Sequence, residues 1–203
     1  MPIKLNGATS GSVELDVPAA VGSDLQLTLP TAAGTLDRLE RAGNILQVKE
    51  THLDTAFSVA YTTYTDTDVT GLSVSLTPAA TTSKVLIFVR LNQEINHIAS
   101  QQTCLNLKRG STFVGRPAAA GSRPTGLQGS SMGYYDQGDA NSTMENNYFH
   151  FLDSPGTTAS ITYQVSMFTE SGSIMYVNRT AGDLDSPSYE RLTSSIVVME
   201  VAG

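Results

Sequence analysis

Four of the twelve basic residues, Lys108, Arg109, Arg116 and Arg123, fall between positions 108 and 123 of an otherwise acidic chain. Two adjacent tyrosines, Tyr134 and Tyr135, follow shortly after, with Asp136 beside them. The surrounding stretch, residues 114–144, is rich in Gly, Ser, Ala and Asn. Aromatic faces with Arg and Asp in such a stretch suit recognition of sugars or of a partner protein. Rings supply contact area at low entropic cost, and a guanidinium pairs with hydroxyls or carboxylates. Arg116, Arg123, Tyr134, Tyr135 and Asp136 are therefore the candidate ligand-binding residues. The blander reading of the stretch is an intersubunit contact or a solvated loop.

Elsewhere the chemistry-bearing residues do not assemble into a reactive pattern. His52, His97 and His150 are far apart, and no Cys/His set has zinc-site spacing. Acid pairs occur at Asp66/Asp68 and Asp183/Asp185. The second offers oxygen ligands to a calcium ion but lacks the spacing and the downstream Glu of a calcium loop, so a turn explains it more simply. No serine sits in a nucleophile-elbow pattern, and no Gly-rich phosphate loop is present. The single cysteine, Cys104, cannot form an intrachain disulfide, and its alternating neighbours mark it as a small buried hydrophobe rather than a reactive thiol. The expectation is a protein that is not an enzyme and uses no cofactor and no metal.

The formal charge of −7 disfavours electrostatic binding of nucleic acid. No apolar run approaches the eighteen or so residues of a membrane span. The first residues lack a basic region followed by an apolar stretch, so no secretory leader is expected and synthesis is placed in a cytoplasm. Charged residues make up only 15% of the chain, with Thr, Ser, Gly and Ala abundant, as many short strands and tight turns require.

The elements that must position these residues read almost entirely as β. Near the N-terminus two segments repeat with a spacing of twelve: Val13, Leu15 and Val17 recur as Leu25, Leu27 and Leu29, each set followed by Pro and small residues. Such a strand has one apolar face and is stopped by a residue that cannot donate to a ladder. It needs a cover for that face, and another copy of itself is the simplest one, so these six residues are read as an assembly device. Residues 1–12 form an expected extended tail that attaches the protein to something else through Ile3 and Leu5. Residues 35–43 are the only stretch that reads as helix, one or two turns ending at Gly43. Beyond it, strands are expected at residues 45–48, 57–64, 71–78, 84–91, 102–109, 147–152, 159–169, 173–179 and 194–201. The run 84–91 is continuously apolar, which predicts burial on both faces. Spacing of eight to twelve residues with Pro or Gly punctuation predicts an all-β sandwich or jelly roll.

The run Ile3-Lys4-Leu5-Asn6-Gly7-Ala8-Thr9-Ser10-Gly11-Ser12-Val13-Glu14-Leu15-Asp16-Val17-Pro18-Ala19-Ala20 continues to Leu25-Gln26-Leu27-Thr28-Leu29-Pro30 and Gly34-Thr35-Leu36. It resembles the stalk of small fibre-type virion proteins of tailed bacteriophages, especially those of cyanobacterial and marine phages. Ser83-Lys84-Val85-Leu86-Ile87, Leu152-Asp153-Ser154-Pro155-Gly156 and Tyr176-Val177-Asn178-Arg179 are similar to their heads, so the resemblance spans nearly the whole chain. It implies a homotrimer with an attachment tail (1–12), an intertwined β stalk with a short helical linker (13–43) and a β-sandwich head (44–203). The N-terminus would dock on a tail, baseplate or capsid protein, and the head would face a host surface polysaccharide. The implied function is a virion structural protein, a short tail fibre with a receptor-binding knob, without nucleic-acid binding or membrane insertion. The alternative is a head decoration (cement) protein. A depolymerase tailspike is third, since 203 residues leave no room for a long β-helix presenting paired acids.

Overall fold

Every regular element in the described residues is a strand. A computed structural model describes residues 3–6, 11–15, 41–61, 64–95, 103–130, 142–169 and 171–203. The chain divides between Asp37 and Arg38 into two units. In the first, β1 (Ile3–Asn6) and β2 (Ser12–Leu15) form an antiparallel hairpin, with Ile3 opposite Leu15 and Leu5 opposite Val13. The boundary expected after residue 12 thus falls inside β2, and the expected tail and the start of the expected stalk are two arms of one hairpin. Val17, Leu25, Leu27 and Leu29 lie outside the described residues, as do residues 35–40 of the expected helix. Arg41–Gly43 form a turn closed by the Asn44 amide on the Arg41 carbonyl at 3.0 Å.

The second unit contains β3 (Ile45–Leu53), β4 (Phe57–Ala60), β5 (Asp66–Leu76), β6 (Lys84–Ile95), β7 (Cys104–Arg109), β8 (Thr112–Val114) and β9 (Gln128–Gly129). It continues with β10 (Glu145–Asp153), β11 (Ile161–Phe168), β12 (Ile174–Val177) and β13 (Ser194–Val201). One sheet runs β3-β13-β6, and β10 takes the other edge of β6, since the same β6 residues pair with both neighbours. The short β12 continues the β13 edge of β6 and carries β4 beside it. The second sheet runs β5-β11-β7-β8, with β9 also on β7. Setting aside the short β4, β9 and β12 and counting the remaining eight in chain order, the sheets read 1-8-3-6 and 2-7-4-5. That is the strand order of a jelly roll, two Greek keys folded face to face.

Alternation builds the core. Val85, Ile87, Val89 and Leu91 of β6 point inward with Ile196 and Val198 of β13, against Leu105 and Leu107 of β7 and Tyr163, Val165 and Met167 of β11. Long strands make this possible: the observed β3, β5 and β6 outrun the expected segments, whereas among the described residues of 57–64 the strand is β4, Phe57–Ala60. The two-sided burial expected for 84–91 does not hold within the chain. Leu86 is half-buried and Phe88 is 42% exposed on the outer face, because the sandwich supplies only one covering layer.

The two ends of the sandwich differ. At one, the root end, Ile45 pairs with Val201, Val201 with Lys84, and the Gly43 amide donates to the Ala202 carbonyl at 2.8 Å. Buried Glu200 anchors the turn after β5 there: its carboxylate accepts from Gln47 Nε2 at 2.5 Å and from the Ala79 amide at 2.6 Å. Burial alone would raise that carboxyl, but the hydrogen bonds outweigh it and hold Glu200 below the ordinary carboxylate range. The other end, the loop end, gathers the starts of β5 and β7 and the end of β11, where Phe168 lies opposite both Asp66 and Cys104. The long connections, 96–103, 115–127 and 130–144, depart from strands that finish there.

Candidate functional site: a groove at the loop end

A groove of about 510 Å³ opens between the start of β5 and the end of β11 at the loop end, β8 and the connection from β8 to β9. Tyr64, Asp66, Phe113, Arg116, Arg123 and Phe168 are among the residues that line it. Tyr64 is 59% exposed, and its ring centroid stands 6.4 Å from that of Phe168 at a tilt of 33°. An exposed phenol beside a second ring is a surface on which the apolar face of a sugar or another ring can lie.

An ionic cluster forms the wall. The Arg116 guanidinium stacks on Phe113 with 3.3 Å from its carbon to the ring centroid. The same group donates through Nε to Asn106 Oδ1 at 2.7 Å and through Nη2 to Asp66 Oδ2 at 3.1 Å. Asn106, itself fully buried, donates to Asp66 Oδ2. On the other side, Lys108 Nζ lies 3.2 Å from Asp66 Oδ1 and 2.6 Å from Asp68 Oδ1. Burial would lower the Lys108 ammonium, but the bonds to Asp68 and Asp66 outweigh it and raise it above its ordinary value. β-Alternation explains the meeting: Asn106 and Lys108 share a face of β7, and Asp66 and Asp68 share a face of β5.

The loop carrying Arg123 is held by close approach. The Leu127 amide donates to the Leu105 carbonyl at 2.9 Å, and a Cβ at Gly126 would stand 2.6 Å from Cys104 Cβ and 3.0 Å from the Leu105 carbonyl oxygen. Only glycine lets the loop lie this flat on β7. Cys104 beneath it is half-buried, and burial pushes its thiol up, with Arg116 pulling the other way and Asp66 adding to the rise, so the protonated form is favoured.

The structure thus joins two of the expected ligand residues in one groove and gives them different roles. Arg116 is committed to Phe113, Asn106 and Asp66 and shapes the wall. Arg123 is exposed and donates through Nη1 to the Ala120 carbonyl at 3.2 Å, which leaves the rest of its fork at the rim. Tyr134, Tyr135 and Asp136 lie outside the described residues. Tyr64, Phe113 and Phe168 were not legible as site residues, because each belongs to a segment that reads as strand and turn and meets the others only through sheet register.

Of the remaining acid pair, Asp183 is structural. Asp183, at φ +48°, receives Arg191 through two bonds of 2.6 and 2.7 Å and Arg179 through one of 3.1 Å. Both carboxylate oxygens are occupied by arginine, so Asp183 fastens the loop before β13. Among the described residues no group of three or more His, Cys, Asp or Glu lies close enough to hold a metal ion. No described helix is long and apolar enough to cross a membrane.

No family model and no curated protein matches the chain. Among solved structures, the crystal structure of infectious bursal disease virus VP2 subviral particle is similar over 96% of this chain and 49% of that chain, at 15% identity and a TM-score of 0.34. The structure of infectious bursal disease virus Gt strain is similar over 97% of this chain and 48% of that chain, at 15% identity and a TM-score of 0.31. The chain spans about half the length of these structures.

Proposed function

We propose that this chain is a non-catalytic structural protein of a phage particle: a short homotrimeric fibre, fixed through its N-terminal segment, whose loop end meets an acidic polysaccharide of the host surface. The observation that carries this reading is the polarity of the sandwich. The chain enters at the root end beside Ala202, and Tyr64 and Phe168 of the groove stand at the opposite end of β5 and β11, about 30 Å away along a strand of 11 residues rising ~3.3 Å each. A molecule held at its root would present that groove outward. The stalk-like repeat and its resemblance to phage fibres support the trimer, and a trimer multiplies a weak single-site affinity through raised effective concentration.

The ligand class follows from the groove's charges. Arg116, Lys108 and Arg123 face Asp66 and Asp68, an excess of one positive charge on a chain of net charge −7. With Arg116 and Lys108 engaged by the two aspartates, Arg123 is the group offered to a carboxylate, and Tyr64 the ring offered to a pyranose face. The test is binding of the full-length protein to immobilised alginate, a uronate polymer, against dextran, a neutral one. Alginate should retain the protein and dextran should not, and the double substitution Tyr64→Ala, Arg123→Ala should weaken alginate binding about tenfold or more, the loss of roughly 1.4 kcal/mol or more per site. Equal retention of both polymers, or no change in the variant, would remove the groove from this role.

A further inference from the structure

The outer face of the β10-β6-β13-β3 sheet is apolar where a solvated sheet would be polar. Register places Leu152, Leu86, Met199 and Val48 side by side in one row across the four strands. The next row toward the loop end is His150, Phe88, Val197 and Glu50, and the third is Tyr148, Arg90, Ser195 and His52. Val48 is 53% exposed, Leu152 48% and Phe88 42%, and Ile45 adds another exposed apolar residue at the root end. Phe88 and His150 lie with ring centroids 6.1 Å apart beside a shallow depression of about 350 Å³. Tyr148 of the third row is 63% exposed, and Lys84 stands beside Val201 at the root, but aliphatic content falls from the Leu152 row through the His150 row to the Tyr148 row, and a one-faced solvent sheet does not have this pattern.

We infer that this face is covered by the same face of neighbouring copies, the three sheets packing around the axis that begins where the N-terminal segments enter. The inference rests on the trimeric reading above. Three arguments select a second copy as the occupant. The three rows carry one carboxylate, Glu50, against the guanidinium of Arg90, and Lys84 adds an ammonium beside Val201 at the root, so this is a face where copies of a −7 chain meet without acid facing acid. The gradient is aligned with the point of chain entry, as an axis starting at a stalk requires. The area also fits a tethered contact. Four strands ~4.8 Å apart and three rows ~6.7 Å apart span about 400 Å². An independent pair needs about 800 Å² per partner, so the patch suffices only when the copies are already held together.

The chain contains no tryptophan, so Phe88→Trp in the full-length protein places a sole indole at the centre of the face. Sedimentation of the same sample reports the oligomer, and acrylamide quenching with emission wavelength reports the cover. The expected result is a trimer whose indole is blue-shifted and quenched at least threefold less than free tryptophan, the shielding being lost in step with dissociation on dilution. A trimer with an exposed indole overturns the inference and leaves the trimeric reading standing. Shielding that persists after dissociation assigns the cover to the chain's own N-terminal segment and overturns it too. A monomer removes both. Should Phe88→Trp not fold, Leu152→Trp on the adjacent strand carries the same readout.

Discussion

Glu200 shows how one side chain couples the root end to pH. It is fully buried without a cationic partner in the bonds described, and the Gln47 amide and the Ala79 backbone hold it charged. Because its folded pKa lies below the unfolded value, the stabilisation is present above the ordinary carboxylate range and disappears as the pH falls through the folded value. Glu200→Gln keeps the shape but turns one acceptor into a donor facing a donor. At pH 7 the variant should be less stable by about 1–2 kcal/mol. In denaturant unfolding the gap to the parent chain should narrow as the pH falls below the ordinary glutamate range and close through the lower folded value; a gap independent of pH would show that the charge is irrelevant. Asp153 at the same end follows related logic, accepting from Arg109 at 2.8 and 3.1 Å and from the buried Tyr163 hydroxyl at 2.7 Å. Burial first, then that bond and the carboxylate's charge, push the Tyr163 phenol up, which keeps it protonated and a donor through the ordinary phenol range. Neither role was visible in the sequence, where both acids stand alone.

At the scale of elements, alternation was legible and register was not. Residues 194–201 were expected as a strand and form β13, because Ile196 and Val198 alternate with half-buried neighbours in a stretch free of Gly and Pro. β6 runs past the apolar segment 84–91 through Asn92, Gln93 and Glu94, which are buried and each make a side-chain bond: Asn92 donates to the Thr193 carbonyl at 2.6 Å, Gln93 donates to Ser130 Oγ at 2.8 Å and Glu94 accepts from the Ala181 amide at 2.7 Å. The groove was half legible. The Arg-rich stretch announced Arg116 and Arg123, but pairing Arg116 with Asp66 crosses fifty residues and depends on β11 lying between β5 and β7. The loop's seat depends on Gly126 in turn. Gly126→Val should lift the loop from β7 while leaving the sheets folded, and the measurement is the rate at which Cys104, the sole cysteine, reacts with a thiol reagent. At least a tenfold acceleration with a retained β-sheet circular dichroism spectrum is expected, since a ~1.4 kcal/mol shift toward the open loop is tenfold in population. An unchanged rate would mean that the loop does not cover Cys104.

For the second unit as a whole, the consequential feature is that one end gathers the entry at Gly43 and the end of β13, and the other gathers the strand ends from which the long connections leave. A jelly roll imposes this arrangement by itself, since alternate connections of a Greek key fall at opposite ends, and it hosts many unrelated functions. What gives it direction here is composition: the outer sheet face grows more aliphatic toward the root, and the aromatic, basic groove lies at the far end. An all-β chain could be read from residue spacing alone, but this polarity appears only when residues far apart in sequence are placed on the same face or at the same end. The account therefore stands or falls on orientation in an assembled particle. Cryo-electron tomography of particles carrying this chain, with subvolume averaging of the sandwich, measures that orientation directly. The account predicts three sandwiches around a common axis at a tail, root ends toward the particle and the Tyr64–Arg123 groove facing solvent. Sandwiches spread over the head surface with their loop ends against the capsid would contradict it and make the protein a decoration of the head.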